Sequence, residues 1–257
     1  MYTNGDDMID FMRGSIQGFV KITDKDTKEV LVDAHNDVLC GNMSVALAQS
    51  LIGNPNNLLY YIAFGNGGAY VGPTGAISYR PSVGAGTSSN TKNPIANLYN
   101  TVYVKKISNN TTGAYDVTQS QSTAYIPVTD ISTNYEDIII DVTLGYSEPS
   151  SNIAQSLIDN STFVGYPSGT SSGTSTANTL VFNEIGLFAG SGGNSLFNGP
   201  ATTSVTDVSN FVNHTATSAG TTSKLMLTHV VFHPIQKSAN RSLEIIYTLR
   251  IQISAPI

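Results

Sequence analysis

Four histidines, one cysteine and five glutamates are the side chains from which this 257-residue chain could build a catalytic or metal site. His229 and His233 stand four apart. On a β-strand that spacing puts both on one face, roughly 13 Å apart along the chain, too far to share a metal ion. They are expected to face solvent or a neighbour rather than to bind metal. Cys40 follows His35 and Asn36, a combination that could activate a thiol. A small buried hydrophobe is the preferred reading of Cys40. A single cysteine also rules out an internal disulfide framework and a cysteine metal cluster. The glutamates are isolated in sequence, and no Gly-x-Ser-x-Gly, His-Glu-x-x-His or kinase-type set occurs. No catalytic residue, metal ligand or cofactor-binding residue is assigned, and no cofactor is expected. An active site assembled from distant residues stays open. A glycan-degrading enzyme would use Tyr and Asp on strands, but the chain lacks Trp, the favoured sugar-stacking side chain.

Two polar turns invite a ligand reading. Asp24-Lys25-Asp26-Thr27-Lys28 has the acidic spacing of a calcium loop but lacks its glycine and its distal glutamate, so a plain turn is expected. Gly65-Asn66-Gly67-Gly68 could cradle a phosphate. Neither Gly-Lys-Ser nor Gly-Lys-Thr follows, and Ala69-Tyr70-Val71-Gly72-Pro73 does not open a helix, so this too reads as a turn. Lys105, Lys106, Lys237, Arg241 and Arg250 could form a basic patch; a solvated sheet edge is the preferred reading.

The elements that must position these residues are mostly strands. Lys224 to Ile253 is the clearest stretch, two runs rich in β-branched and aromatic residues around a polar gap at Lys237–Ser242. It reads as a long β-hairpin. In its second run Leu243, Ile245, Tyr247, Leu249, Ile251 and Ile253 share one face, and Glu244, Ile246, Thr248, Arg250 and Gln252 share the other. That alternation predicts one buried and one wet or partner-facing side. Ile16–Thr23 and Glu29–Val32 form a second hairpin. Leu58–Phe64, Thr101–Ile107, Tyr125–Val128, Asp137–Leu144 and Thr179–Phe188 are further strands. Asn42–Leu51 has helical periodicity, with Gly41-Asn42 as a polar cap and Gly53-Asn54-Pro55 as a stop. A second short helix is expected over Ser151–Ile158. The expected architecture is mainly β, a β-sandwich with one or two short helices and long Gly/Ser/Thr-rich loops. An N-terminal arm at 1–14 precedes a single domain at 15–257, with insertions near 70–97, 165–178 and 190–222.

Only 12% of residues are charged and the formal charge is −6, which gives no overall attraction to nucleic acid or to an anionic membrane. Neither partner is expected. Met1–Asp10 carries three Asp and no basic apolar run, so it does not read as a signal peptide. No window of about 18 apolar residues is present. The expectation is synthesis in a reducing cytoplasm, where the sequons at Asn109, Asn110, Asn160 and Asn213 carry little weight.

Several segments, in order, resemble structural proteins of tailed bacteriophages. Gly18-Phe19-Val20-Lys21-Ile22-Thr23-Asp24, continuing to Glu29-Val30-Leu31-Val32-Asp33-Ala34-His35-Asn36, resembles the strand, turn, Val-Asp-x-x-Asn and helix that open certain neck and tail proteins. Ile62-Ala63-Phe64-Gly65-Asn66-Gly67-Gly68 is similar to the Ile-Ala-x-Gly-x-Gly segment of tail and fibre-associated proteins. Phe182-Asn183-Glu184-Ile185-Gly186-Leu187-Phe188 is similar to their Glu-Ile-Gly-Leu-Phe strand. The matches cover about half the chain, and the long polar insertions depart from the compact pattern. The resemblance implies a non-enzymatic virion protein, a homo-oligomeric neck, collar or tail ring or a fibre adaptor. Its partners would be copies of itself and other neck, tail or fibre components. A receptor-binding or head-decoration module is the alternative. Gly65, Gly67 and Gly186 are the expected structural strand glycines, with Phe64, Phe188 and Tyr247 as core or interface anchors.

Overall fold

The computed structural model describes residues 13–53, 58–83, 96–109, 122–125, 134–146, 179–190, 224–238 and 240–254. The structure is mainly β, as the alternating runs predict. Strands β1 (Arg13–Asp24), β2 (Val30–Val38), β3 (Leu58–Gly65), β4 (Ala69–Val71), β5 (Ile77–Tyr79), β6 (Thr101–Lys106), β7 (Ser108–Asn109), β8 (Ser122–Tyr125), β9 (Tyr135–Leu144), β10 (Thr179–Gly190), β11 (Leu225–Ser238) and β12 (Leu243–Ser254) accompany one helix, α1 (Cys40–Leu51). Ten strands form one sheet in the order β6-β3-β10-β11-β2-β1-β12-β9-β8-β7, and β4 and β5 form a separate two-stranded ribbon. The β7–β8 pair is parallel; the other ladders are antiparallel.

The sheet curls so that its two halves share a core. Val20, Ile22, Val142, Ile245 and Tyr247 from one half join Ile62, Phe64, Phe182, Leu187 and Phe232 from the other in one buried cluster. Phe64 packs edge-on to Phe182 with ring centroids 5.3 Å apart, and Phe182 meets Phe232 in the same way at 5.8 Å. The link between the halves is the end of β2, where Asp37 and Val38 leave the β1 ladder and pair with His229 and Thr228 of β11. A second cluster, including Tyr61, Ala63, Leu98, Phe188 and Met226, covers the other side of β3, β10 and β11. These strands are thus buried on both faces, which explains why β10 reads as an almost continuous apolar run. In β12 the predicted alternation holds: Leu243, Ile245, Tyr247 and Leu249 are buried, while the residues between them are half-buried.

The β1–β2 hairpin forms as expected. The C-terminal hairpin does not. β11 lies between β10 and β2, and β12 between β1 and β9, so the 239–242 connection passes from one half of the curled sheet to the other. The turn chemistry there is suited to a hairpin, but both strands have their two edges occupied by other partners. The 70–97 insertion is not wholly loop, because β4 and β5 form a small hairpin inside it. Residues 84–95, the helix expected at 151–158, the 165–178 and 190–222 insertions, the 1–12 part of the arm and the 126–128 end of the Tyr125–Val128 strand lie outside the described residues.

Helix α1 begins two residues before the predicted start, at Cys40, with Leu39 at its N-cap and no side-chain cap. Asn42 does not cap it. Its Nδ2 donates to the Met226 carbonyl at 2.9 Å, docking the helix on β11. Gly53 ends the helix in the left-handed conformation, φ 73°, where a Cβ is disfavoured. Cys40 is exposed rather than buried. The expected basic edge is also not as predicted. Lys105 and Lys237 are buried, with Lys105 Nζ donating to the Thr143 carbonyl at 2.6 Å and Lys237 Nζ to the Ser238 carbonyl at 2.9 Å. Arg250 grips Asp137 with two bonds of 2.8 Å and lies 4.0 Å from the centre of the Tyr135 ring.

The Asp24 turn is a plain turn, held by its own carboxylate. Asp24 accepts the Asp26 and Thr27 amides at 2.9 and 3.0 Å and also pairs with Arg241, which ties this turn to the β11–β12 connection. The Thr27 amide and the Arg241 bond pull its carboxyl down to about 2. A depressed carboxyl stabilises the fold above the unfolded value of about 3.9, and that contribution is lost as pH falls toward 2. Asp24→Asn should therefore flatten the acid limb of stability between about pH 4 and 2 while lowering stability at neutral pH, read by denaturant unfolding at each pH.

Candidate functional site

The chemistry-bearing residues converge on the outer face of the β3-β10-β11 half. Two β-bulges place them there. Between β10 and β11 the register shifts after Phe182 and again after Leu187. The first shift lets Phe182 and Ile185 both reach the shared core and turns Glu184 outward; the second puts Leu227 and Val230 on the core side with His229 outward. Gly186 is the direct partner of His229, and Val231 of Glu184, so the two side chains meet on the diagonal. They are both fully buried, with His229 Nε2 and Glu184 Oε2 2.9 Å apart.

Glu184 gathers four donors. The Gly67 and Asn100 amides donate to Oε1 at 3.0 and 2.9 Å, and the Tyr99 amide and the His229 imidazole to Oε2 at 3.0 and 2.9 Å. Every one of these partners is a donor, so the ionised carboxylate is the form that satisfies them all. Such charge-assisted bonds offset a desolvation cost that would otherwise be several kcal/mol, roughly speaking. His229 Nδ1 accepts the Val83 amide at 2.7 Å. That bond needs a lone pair on Nδ1, which fixes the neutral tautomer with its proton on Nε2. The Tyr99 ring stands edge-on to the imidazole at 5.7 Å.

The neighbouring Asn183 does for the Gly65–Gly68 turn what Glu184 does for the Tyr99–Asn100 segment. Its Oδ1 accepts the Gly68 amide at 2.8 Å and its Nδ2 donates to the Asn66 carbonyl at 3.0 Å. The Gly65–Gly68 turn therefore does present an amide to an anion, Gly67 to the protein's own Glu184, while Gly68 is taken by Asn183. Close approach, not unusual backbone dihedrals, demands glycine here. A Cβ at Gly65 would meet Glu184 and come within 2.7 Å of the Asn100 carbonyl; one at Gly67 would lie 2.7 Å from Tyr99 Cβ; one at Gly186 would lie 3.0 Å from Leu98 Cδ2 and the Thr228 carbonyl. Gly67 lies in the turn after β3 rather than within a strand.

Beneath this face, in the core, Tyr247 of β12 donates to Thr228 Oγ1 and accepts from Asn36 Nδ2, while Thr228 Oγ1 also accepts the Leu187 amide at 3.2 Å. One phenol thus links strands β12, β11, β10 and β2. Burial pushes its ionisation well above the ordinary tyrosine range.

The expected structural residues divide cleanly. Gly65, Gly67 and Gly186 belong to the Glu184 site; Phe64 lies in the shared core, and Phe188 on the outer face of the same strand as Glu184, both fully buried; Tyr247 forms the core hub. The histidine expectation holds for His233, which is exposed and meets the Tyr79 hydroxyl at 3.0 Å, and is overturned for His229, which is fully buried against Glu184. The two stay on one face of β11, with Val230 and Phe232 turned to the shared core between them; His229 is buried because the Val83 and Tyr99 segments lie against it. Glu184 and His229 were not foreseen as a pair. The available signal was a lone carboxylate inside the apolar run Val181–Ala189, since a charge in a doubly buried strand requires dedicated partners. As built, both carboxylate oxygens and both imidazole nitrogens are engaged by protein groups, so the arrangement clamps backbone. Among the described residues no group of three or more metal-ligating side chains occurs. No family model, curated protein or solved structure matches the chain.

Replacing Glu184 with Gln puts an NH₂ group against backbone donors, and we expect a loss of about 2 kcal/mol or more in denaturant unfolding. Gly65→Ala should cost about 1–3 kcal/mol through overpacking. Gly14→Ala, where the nearest atom to a new Cβ is 3.9 Å away, should stay within about 0.5 kcal/mol of the parent.

Proposed function

We propose that this protein is a non-enzymatic structural component of a tailed-phage virion, a homo-oligomeric ring of the neck, collar or tail or an adaptor for fibres. The observation that carries the reading is the interlock of two of the three segments that carry the resemblance. Ile62–Gly68 and Phe182–Phe188 lie far apart in sequence, and they pair as neighbouring strands and dock through Asn183 and Glu184, with Gly65 closing on the Glu184 side chain. The two segments thus form one packed unit, which supports reading them together. The low charge, 12% of residues, supports the same reading, because uncharged polar surface is easily covered by a neighbouring subunit. Closed cyclic assembly would require each subunit to present two complementary surfaces.

The test is twofold. Sedimentation of the purified protein should give a discrete closed oligomer, and mass spectrometry of purified particles from the phage whose genome encodes the chain should find it among the virion proteins. A strict monomer that is missing from particles, or one that turns over a glycan, would overturn the proposal.

A further inference from the structure

His229 does more than complete the Glu184 site. It is the one described side chain that holds the Val83 amide, and it does so through the nitrogen that a second proton would occupy. The rest of the 80–83 segment has other anchors. The Arg80 amide donates to the Gly68 carbonyl at 2.8 Å, the Tyr99 hydroxyl to the Pro81 carbonyl at 2.6 Å, and the Ser82 hydroxyl to Asp37. At Val83 the imidazole accepts the backbone amide, while the side chain packs against the outer cluster that includes Tyr61, Leu98 and Phe188.

We propose that His229 is a proton-operated latch: a proton on Nδ1 expels the Val83 amide and frees that end of the 80–83 segment, while the Glu184 bonds to Gly67, Tyr99 and Asn100 stay in place. The closed arrangement has no room for the doubly protonated ring, because an N–H on Nδ1 would point at the Val83 N–H. The open arrangement does, with the Nε2–H still donating to Glu184. The other charged and titratable groups around the imidazole do not substitute for this. Asp37 on β2, the register partner of His229, holds Ser82. Tyr99 presents its ring edge, and Arg80 lies over the Tyr99 ring at 4.9 Å. His233, four residues along β11, is bonded to Tyr79 on the β4–β5 ribbon.

The sign follows from linkage. The open form binds one more proton than the closed form, so opening rises as pH falls, by up to about tenfold per pH unit. The inference does not depend on the virion reading, since it concerns one subunit.

Amide hydrogen exchange on the folded full-length protein tests it, followed by NMR between about pH 7.5 and 5 with intrinsic exchange rates divided out. Val83 protection should fall with the slope above, while Gly67, Tyr99 and Asn100 keep theirs. In His229→Gln, Val83 should be poorly protected throughout and its pH dependence should vanish. The imidazole nitrogen shifts of the parent protein give an independent reading if that variant does not fold. They should show the Nε2-protonated neutral ring at neutral pH, and imidazolium appearing in step with Val83 opening. Val83 protection that is flat across the range, or imidazolium formed while Val83 stays protected, would overturn the latch.

Discussion

A charged carboxylate with no access to water organises this structure. Glu184 sits in a strand that is covered on both faces, where an unsatisfied carboxylate would cost several kcal/mol, roughly, and would not persist as an ion. The fold meets that constraint by bringing backbone to it. The turn after β3 supplies the Gly67 amide, the chain before β6 supplies the Tyr99 and Asn100 amides, and β11 supplies His229. The surrounding choices follow from that convergence. Glycines stand where backbone must come close, two bulges set the facing of β10 and β11, and Asn183 secures the remainder of the turn. The covering segments, which also bury Ala96 and Leu98, are thereby fastened to the sheet by polar bonds of fixed geometry.

The same logic recurs at other charges in a chain that has few. Asp24 with Arg241 ties the β1–β2 turn to the β11–β12 connection, and Asp137 with Arg250 joins β9 to β12. Tyr247 does with a hydroxyl in the core what Glu184 does with a carboxylate on the outer face. Each of these ties links elements distant in sequence. Hydrophobic burial sets the two layers against one another; the directional polar bonds set which loop lies on which strand.

What could be read from the residues was governed by period. β12 alternates cleanly through Leu249, so its buried face was legible residue by residue, whereas β3 and β9 were legible as short apolar and β-branched runs. β11 defeated that reading twice. Its polar gap has hairpin chemistry, but pairing is decided by which strand edges are free, a property of the whole sheet rather than of the turn. The strand also buries His229 while His233 on the same face stays exposed, because the Val83 and Tyr99 segments lie against His229, and what covers a strand is not written in the strand itself. Lys105 and Lys237 looked like an exposed edge because lysine usually is exposed, yet each ends on a backbone carbonyl that only the tertiary structure supplies. Glu184 was the residue most open to a better reading. A lone acid between Phe182 and Phe188, followed by Gly186 and matched by a glycine-rich turn elsewhere, already implied a buried acceptor in search of amides.

The most direct measurement is a double-mutant cycle in denaturant unfolding with Glu184→Gln, His229→Gln and the pair combined. If the carboxylate and the imidazole act as one buried unit that fastens the covering segments, the coupling energy should be about 1–3 kcal/mol. Additivity within about 0.5 kcal/mol would contradict the account, because it would mean that the two groups are neighbours that do not depend on one another.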